Sequence, residues 1–109
     1  MSYVDNCILS FSIMEHEEER IGEVNEGINQ RPFISVDSEK LPPGWYGGSK
    51  MLETPLYVGA FNYFQEEQFI EHLRKIKWAE PECVQLIIKR QNDDRFEIIN
   101  VMEEDNASK

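Results

Sequence analysis

Between Thr54 and Trp78 the chain reads TPLYVGAFNYFQEEQFIEHLRKIKW, and the spacing of its apolar residues changes once, from a period of two to one of 3.6. That change predicts a strand running straight into a helix, and the rest of the chain has to pack around the pair. In the strand half, Leu56, Val58 and Ala60 share one face, while Pro55, Tyr57, Gly59, Phe61 and Tyr63 share the other. Both faces are apolar, so the strand is expected inside a sheet with cover on both sides. Pro55 has no amide to donate and fits the strand's start, and Gly59 predicts a bulge or the close approach of a bulky neighbour. In the helix half, Phe69, Ile70, Leu73 and Ile76 form one stripe. Glu66, Glu67 and Glu71 come early and Arg74, Lys75 and Lys77 late, the order a helix dipole favours. Pro81 ends the segment, because the residue before a proline avoids helical angles.

The flanking segments supply partners for this pair. Tyr3–Ile13 alternates as a strand, with Cys7, Leu9, Phe11 and Ile13 opposite Asn6, Ile8, Ser10 and Ser12. Ile21, Val24 and Ile28 make a helical stripe in MEHEEERIGEVNEGIN, and Ser12 with Glu15 has the spacing of a capping box. Gly22 and Gly27 weaken that helix. Arg31–Val36 is a short strand led by Pro32, suited to an edge. Glu82–Gln91 and Arg95–Met102 read as a hairpin around Asn92, Asp93 and Asp94.

The order is β-α-β-β-α-β-β, an α+β class. Without its last strand it is the ferredoxin-like β-α-β-β-α-β pattern: two helices on one face of an antiparallel sheet, here with an extra C-terminal strand. Residues 1–102 are expected to form a single domain and 103–109 a disordered acidic tail. The uncovered sheet face is expected to carry Ile8, Ser10, one set of the Leu56–Tyr63 residues, Ile87 and either Ile99 or Val101. So apolar a face is often covered by a second subunit.

A net charge of −10 repels phosphate backbones and argues against broad nucleic-acid binding. It suits a well-solvated surface, a basic protein partner, or mimicry of nucleic acid. No apolar run approaches the length of a membrane span, and the start MSYVDNCILSFSI lacks the basic residues of a signal peptide. A cytoplasmic protein is expected. Cys7 and Cys83 both fall in predicted strands and read as small buried hydrophobes in a reducing compartment.

Asp37–Glu53, DSEKLPPGWYGGSKMLE, has no hydrophobic period and five proline or glycine residues. Loops of this length inside small domains often carry function. Gly47, Gly48, Ser49 and Lys50 could cradle an anion, or make a tight turn into the next strand; the Walker spacing is absent. Trp45 and Tyr46 suit either an interface anchor or a lid folded over the sheet's edge. Tyr57, Phe61 and Tyr63 resemble base-stacking aromatics, but the charge has the wrong sign, so core packing or a dimer seam is the stronger reading. His16 and His72 have no metal-ligand spacing, and neither a metal nor a cofactor is expected. The acids Glu15, Glu17, Glu18 and Glu19 read as a solvated face or a dock for a basic protein.

The stretches GGSKMLETPLYVGAFNYF and EPECVQLIIKRQNDDRF resemble a family of small uncharacterised bacterial proteins, over much of the chain. The resemblance implies no site and no chemistry. Two functional expectations therefore stand on the residues alone. The first is a small acidic protein-binding or regulatory module without catalysis, an immunity or inhibitor role among them, contacting its partner through Trp45–Lys50 and the acidic helix. The second is a homodimer with a small-molecule pocket, an enzyme among the options, between the open sheet face and the 37–53 loop. Tyr57, Phe61, Lys50 and His72 would line that pocket.

Overall fold

Val4–Ser10 (β1) is the middle strand of a five-stranded sheet. The computed structural model describes residues 4–36 and 54–102. Helix α1 is Glu17–Asn25, β2 is Ile34–Ser35, β3 is Leu56–Asn62 and α2 is Glu66–Lys75. A single 3₁₀ turn at Pro81–Cys83 leads into β4, Gln85–Lys89, and β5, Glu97–Asn100, follows. The strands lie in the order β2-β3-β1-β4-β5, and every neighbouring pair is antiparallel. The class is α+β, as the hydrophobic periods predict. The 37–53 loop, with Trp45, Tyr46, Gly47, Gly48, Ser49 and Lys50, and the 103–109 tail lie outside the described residues.

One face of the sheet makes the core. Cys7 and Leu9 of β1, Tyr57 and Phe61 of β3, and Leu86 and Ile88 of β4 are buried together with Val24 of α1 and Phe69 and Leu73 of α2. Both helices therefore cover the same face. His72 of α2 ties them, its Nε2 lying 2.7 Å from the Glu23 carbonyl oxygen of α1. Since a carbonyl only accepts, Nε2 carries the hydrogen in this bond. The core is aromatic at both ends. Phe33, Phe61, Phe64 and Phe69 form one cluster, with ring centroids 5.1–5.6 Å apart. Phe11 packs on Tyr57 and Trp78 at 5.7 and 5.3 Å. Such pairs add about 0.5–1.5 kcal/mol each beyond their burial.

Gly59 is the close-approach case. The β1–β3 register runs unbroken from Val4 opposite Asn62 to Ser10 opposite Leu56, so there is no bulge. The ring of Phe61, from the same strand, folds back over the Gly59 Cα and occupies the place a side chain would take.

Three expectations are corrected here. The Ser12–Glu15 capping box does not form: α1 begins later, with His16 at its N-cap, and Glu15 turns inward. Ser12 instead donates its hydroxyl to Glu80. Cys83 sits in the 3₁₀ turn and is exposed, because Pro81 delays the strand to Gln85. Ile99 and Val101 belong to the helix side, Ile99 packing against the core and Val101 fully buried within it. The β4–β5 register pairs Leu86 with Ile99 and Ile87 with Ile98, so Ile98 takes the open face.

Candidate functional site: the open face of the sheet

Directly paired residues in an antiparallel sheet point to the same side. Ile34 pairs with Val58, Val58 with Ile8, Ile8 with Ile87, and Ile87 with Ile98. One β-branched residue from each strand thus joins a continuous aliphatic row across the whole sheet, on the side away from the helices. The row is half-buried at its centre and open at its ends, where Ile34 is 61% exposed and Ile98 60%. Phe96, two residues before Ile98, is 44% exposed.

The next row is lower. Asn6 pairs with both Ala60 and Lys89. Over Asn6, Gly59 and Ala60 lies a hollow of about 670 Å³, rimmed by Ile8, Ile34, Arg31 and Phe96. On the far side of the aliphatic row the face turns polar: Ser10 pairs with Leu56 and Gln85, and Gln85 Nε2 donates to Asn100 Oδ1 at 3.0 Å.

Charge is sorted between the two sides of the sheet. Among the described strand residues that face away from the helices, none is acidic, and Lys89 is the charged one. The carboxylates stand elsewhere. Glu17, Glu18, Glu19 and Glu23 are on α1, and Glu66, Glu67 and Glu71 on α2. In a chain with net charge −10, the described strands put no carboxylate on this face.

Tyr57, Phe61 and His72 do not line this hollow. Tyr57 and Phe61 occupy the β3 positions that face the helices, and they are 6% and 1% exposed. The Tyr57 hydroxyl donates to Glu17 of α1. His72 is held on the helix side between Glu23, the Phe69 ring and Gly27. The residues that β3 gives to the open face are Leu56, Val58 and Ala60.

Glu15 also departs from the expectation of a solvated acid cluster. Its side chain is fully buried. Oε1 and Oε2 accept the backbone amides of Ala79 and Glu80 at 3.0 and 2.9 Å, and Arg20 Nε donates to Oε1 at 2.9 Å. Burial pushes its carboxyl up, but the two amides and Arg20 outweigh that and hold it below the ordinary range. Glu15 is a structural clamp between the β1–α1 and α2–β4 connections.

A second clamp centres on Arg90. Its guanidinium grips Glu66 with two bonds, Nε–Oε1 3.0 Å and Nη2–Oε2 2.8 Å, and reaches Asp93 and Glu97 through Nη1 at 3.2 and 2.9 Å. Asp5 lies beside it, buried, with Oδ1 unpartnered. Burial and then Glu66 push the Asp5 carboxyl up, against the pull of Arg90. The Cys7 thiol, buried near Asp5 and Glu66, is pushed up to about 12, chiefly by burial, which disfavours the nucleophilic thiolate.

A second concavity, about 510 Å³, opens beside Gly27–Gln30, Asn62–Gln65 and His72. Two of its carboxamides, Gln30 and Gln65, bond the chain itself. Gln30 donates to the Asn62 carbonyl at 2.8 Å and accepts its amide at 2.9 Å. Gln65 donates to the Tyr63 carbonyl. Among the described residues no group of three His, Cys, Asp or Glu is placed to hold a metal ion, and no helix is long and apolar enough to cross a membrane.

The aliphatic row is the feature that sequence reading missed as a unit. Its signal was present: each of the five strands carries one isoleucine or valine at an alternating position, but only the register aligns them. Compared with known proteins, the chain matches no family model, no curated protein and no solved structure.

Proposed function

We propose that this chain is a non-catalytic protein-binding module that makes its contact with the open face of its sheet. The observation that carries the reading is the row Ile34–Val58–Ile8–Ile87–Ile98, unbroken across five strands and exposed at both ends. Contiguous apolar patches of this kind on a soluble domain mark contact surfaces. The hollow beside the row is broad, and its rim brings few polar groups together. A small-molecule site needs several convergent ones. A broad apolar face suits another protein surface better.

The fold reading that goes with it is ferredoxin-like for β1 to β4 and the two helices, with β5 added at the β4 edge. The placement of β1 between β3 and β4 supports it. The unpaired cysteines, Cys83 exposed, suit a reducing cytoplasmic setting.

The test compares capture by two variants. Ile98→Asp places charge in the row, while Glu19→Lys alters the helix side. Proteins retained by the wild-type chain, its own copies included, are expected to be lost with Ile98→Asp and kept with Glu19→Lys. Retention that ignores Ile98 sinks the reading.

A further inference from the structure

We infer that the occupant of the open face is a second copy of this chain, packed sheet to sheet about a two-fold axis. This rests on the protein-binding reading and names its partner. The first argument is shape. A ridge, the aliphatic row, lies beside a hollow over Asn6 and Ala60, and successive rows on one face of a sheet are about 6.6 Å apart. An in-plane two-fold running parallel to the rows, between ridge and hollow, lays each copy's ridge into the other's hollow. That is the self-complementarity an isologous contact requires. It brings Ile98 of one copy against Phe96 of the other.

The second argument is charge. The described strand residues of this face bear no carboxylate, so the strands bring none into the seam. The acid-bearing helices α1 and α2 of the two copies point outward, on opposite sides of the pair. A basic partner, by contrast, would find nothing here to pair with and would be drawn to the helix side. Lys89 enters the seam by its aliphatic stem and reaches water at the rim.

Area sets the strength. Five strands about 4.8 Å apart and about 17 Å long give roughly 400 Å² of sheet per copy. Two such faces bury on the order of 800 Å² of flat area and somewhat more with side-chain relief, below the roughly 1,200 Å² of a stable specific pair. The dimer is therefore a weak, concentration-dependent one. Because each copy carries −10, added salt strengthens it by screening the repulsion between copies.

Sedimentation equilibrium of the full chain, from 1 µM to 1 mM and in 50 and 500 mM NaCl, tests this. A monomer–dimer equilibrium that tightens severalfold at the higher salt is expected. Ile98→Asp should weaken it at least tenfold, and so should Ala60→Leu, which fills the hollow; both positions are exposed, so the fold is kept. A chain monomeric throughout, or a dimer unaffected by both substitutions, overturns the inference. In the monomeric case, a different captured protein whose retention depends on Ile98 overturns self-association while the protein-binding reading stands. If no capture depends on Ile98, both fall.

Discussion

Glu15 accepts a hydrogen bond from the backbone amide of Ala79, 64 residues further on, at 3.0 Å. With the Glu80 amide and Arg20, this makes a buried carboxylate with its acceptor sites filled. Glu15→Ala leaves two amides without a partner and leaves Arg20 with Glu23 alone, and is expected to cost about 3–5 kcal/mol. Glu15→Gln keeps the shape but not the charge and should cost less. Chemical denaturation at pH 7 measures both.

The same carboxyl sets a pH dependence. Its folded pKa lies below the unfolded one, so its stabilisation is present above the ordinary carboxyl range and is lost as pH falls through the lowered folded value. Thermal melts of wild type and Glu15→Gln should converge as pH is lowered from 6 towards 3. Parallel curves would show that the charge of Glu15 contributes nothing.

Asp5 works in the opposite sense. Burial, then Glu66, raises its carboxyl, and Oδ1 has no partner. A raised folded pKa gives stability that is present at low pH and lost as pH rises through the folded value. At neutral pH the ionised group is a liability, and Asp5→Asn is expected to stabilise by ~1 kcal/mol. A lowered melting temperature at pH 7 would refute this.

Gly27 faces the imidazole of His72 so closely that a Cβ would overlap the ring. Gly27→Ala is expected to cost about 1–3 kcal/mol. Combined with His72→Ala it should cost less than the sum of the two, since the clash is removed with the ring. A double-mutant cycle by urea denaturation gives the coupling directly.

One residue of β4 and one of β5 test the sidedness of the sheet. Ile88 is fully buried against the helices, so Ile88→Ala should cost about 2–5 kcal/mol. Ile98→Ala, on the exposed end of the aliphatic row, should fall within about 0.5 kcal/mol of wild type. Equal costs would contradict the register.

Much of this was legible beforehand, for a physical reason. Period is local, so the Leu56–Asn62 strand, the Phe69 and Leu73 stripe and the covered Cys7–Leu9–Phe11 set could be read from spacing alone. Period does not say which face of a strand the helices choose. Tyr57 and Phe61 suit either core packing or an open-face pocket by period alone; they point into the core, where the larger side chains fill the space beneath α1 and α2. In β5 the turn at Arg90–Asp93, closed by the Asp93 amide on the Arg90 carbonyl at 2.9 Å, sets the register. It sends Ile98 outward and Ile99 inward, which composition could not foretell. Glu15 looked like one solvated acid among several, since its partners at Ala79 and Glu80 are distant in sequence.

The grip of Gln30 on Asn62 has a consequence for solubility. Among the described residues β2 pairs with β3 at Ser35–Tyr57 and Ile34–Val58, and no described strand lies beside Gly59–Asn62 on that border. Bare borders recruit strands from other molecules and seed aggregates. By engaging both the amide and the carbonyl of Asn62, the Gln30 carboxamide plugs the far end of that border, as a short false strand would. The molecule can thus present a greasy face for stacking while closing the far end of the β3 border to strand addition.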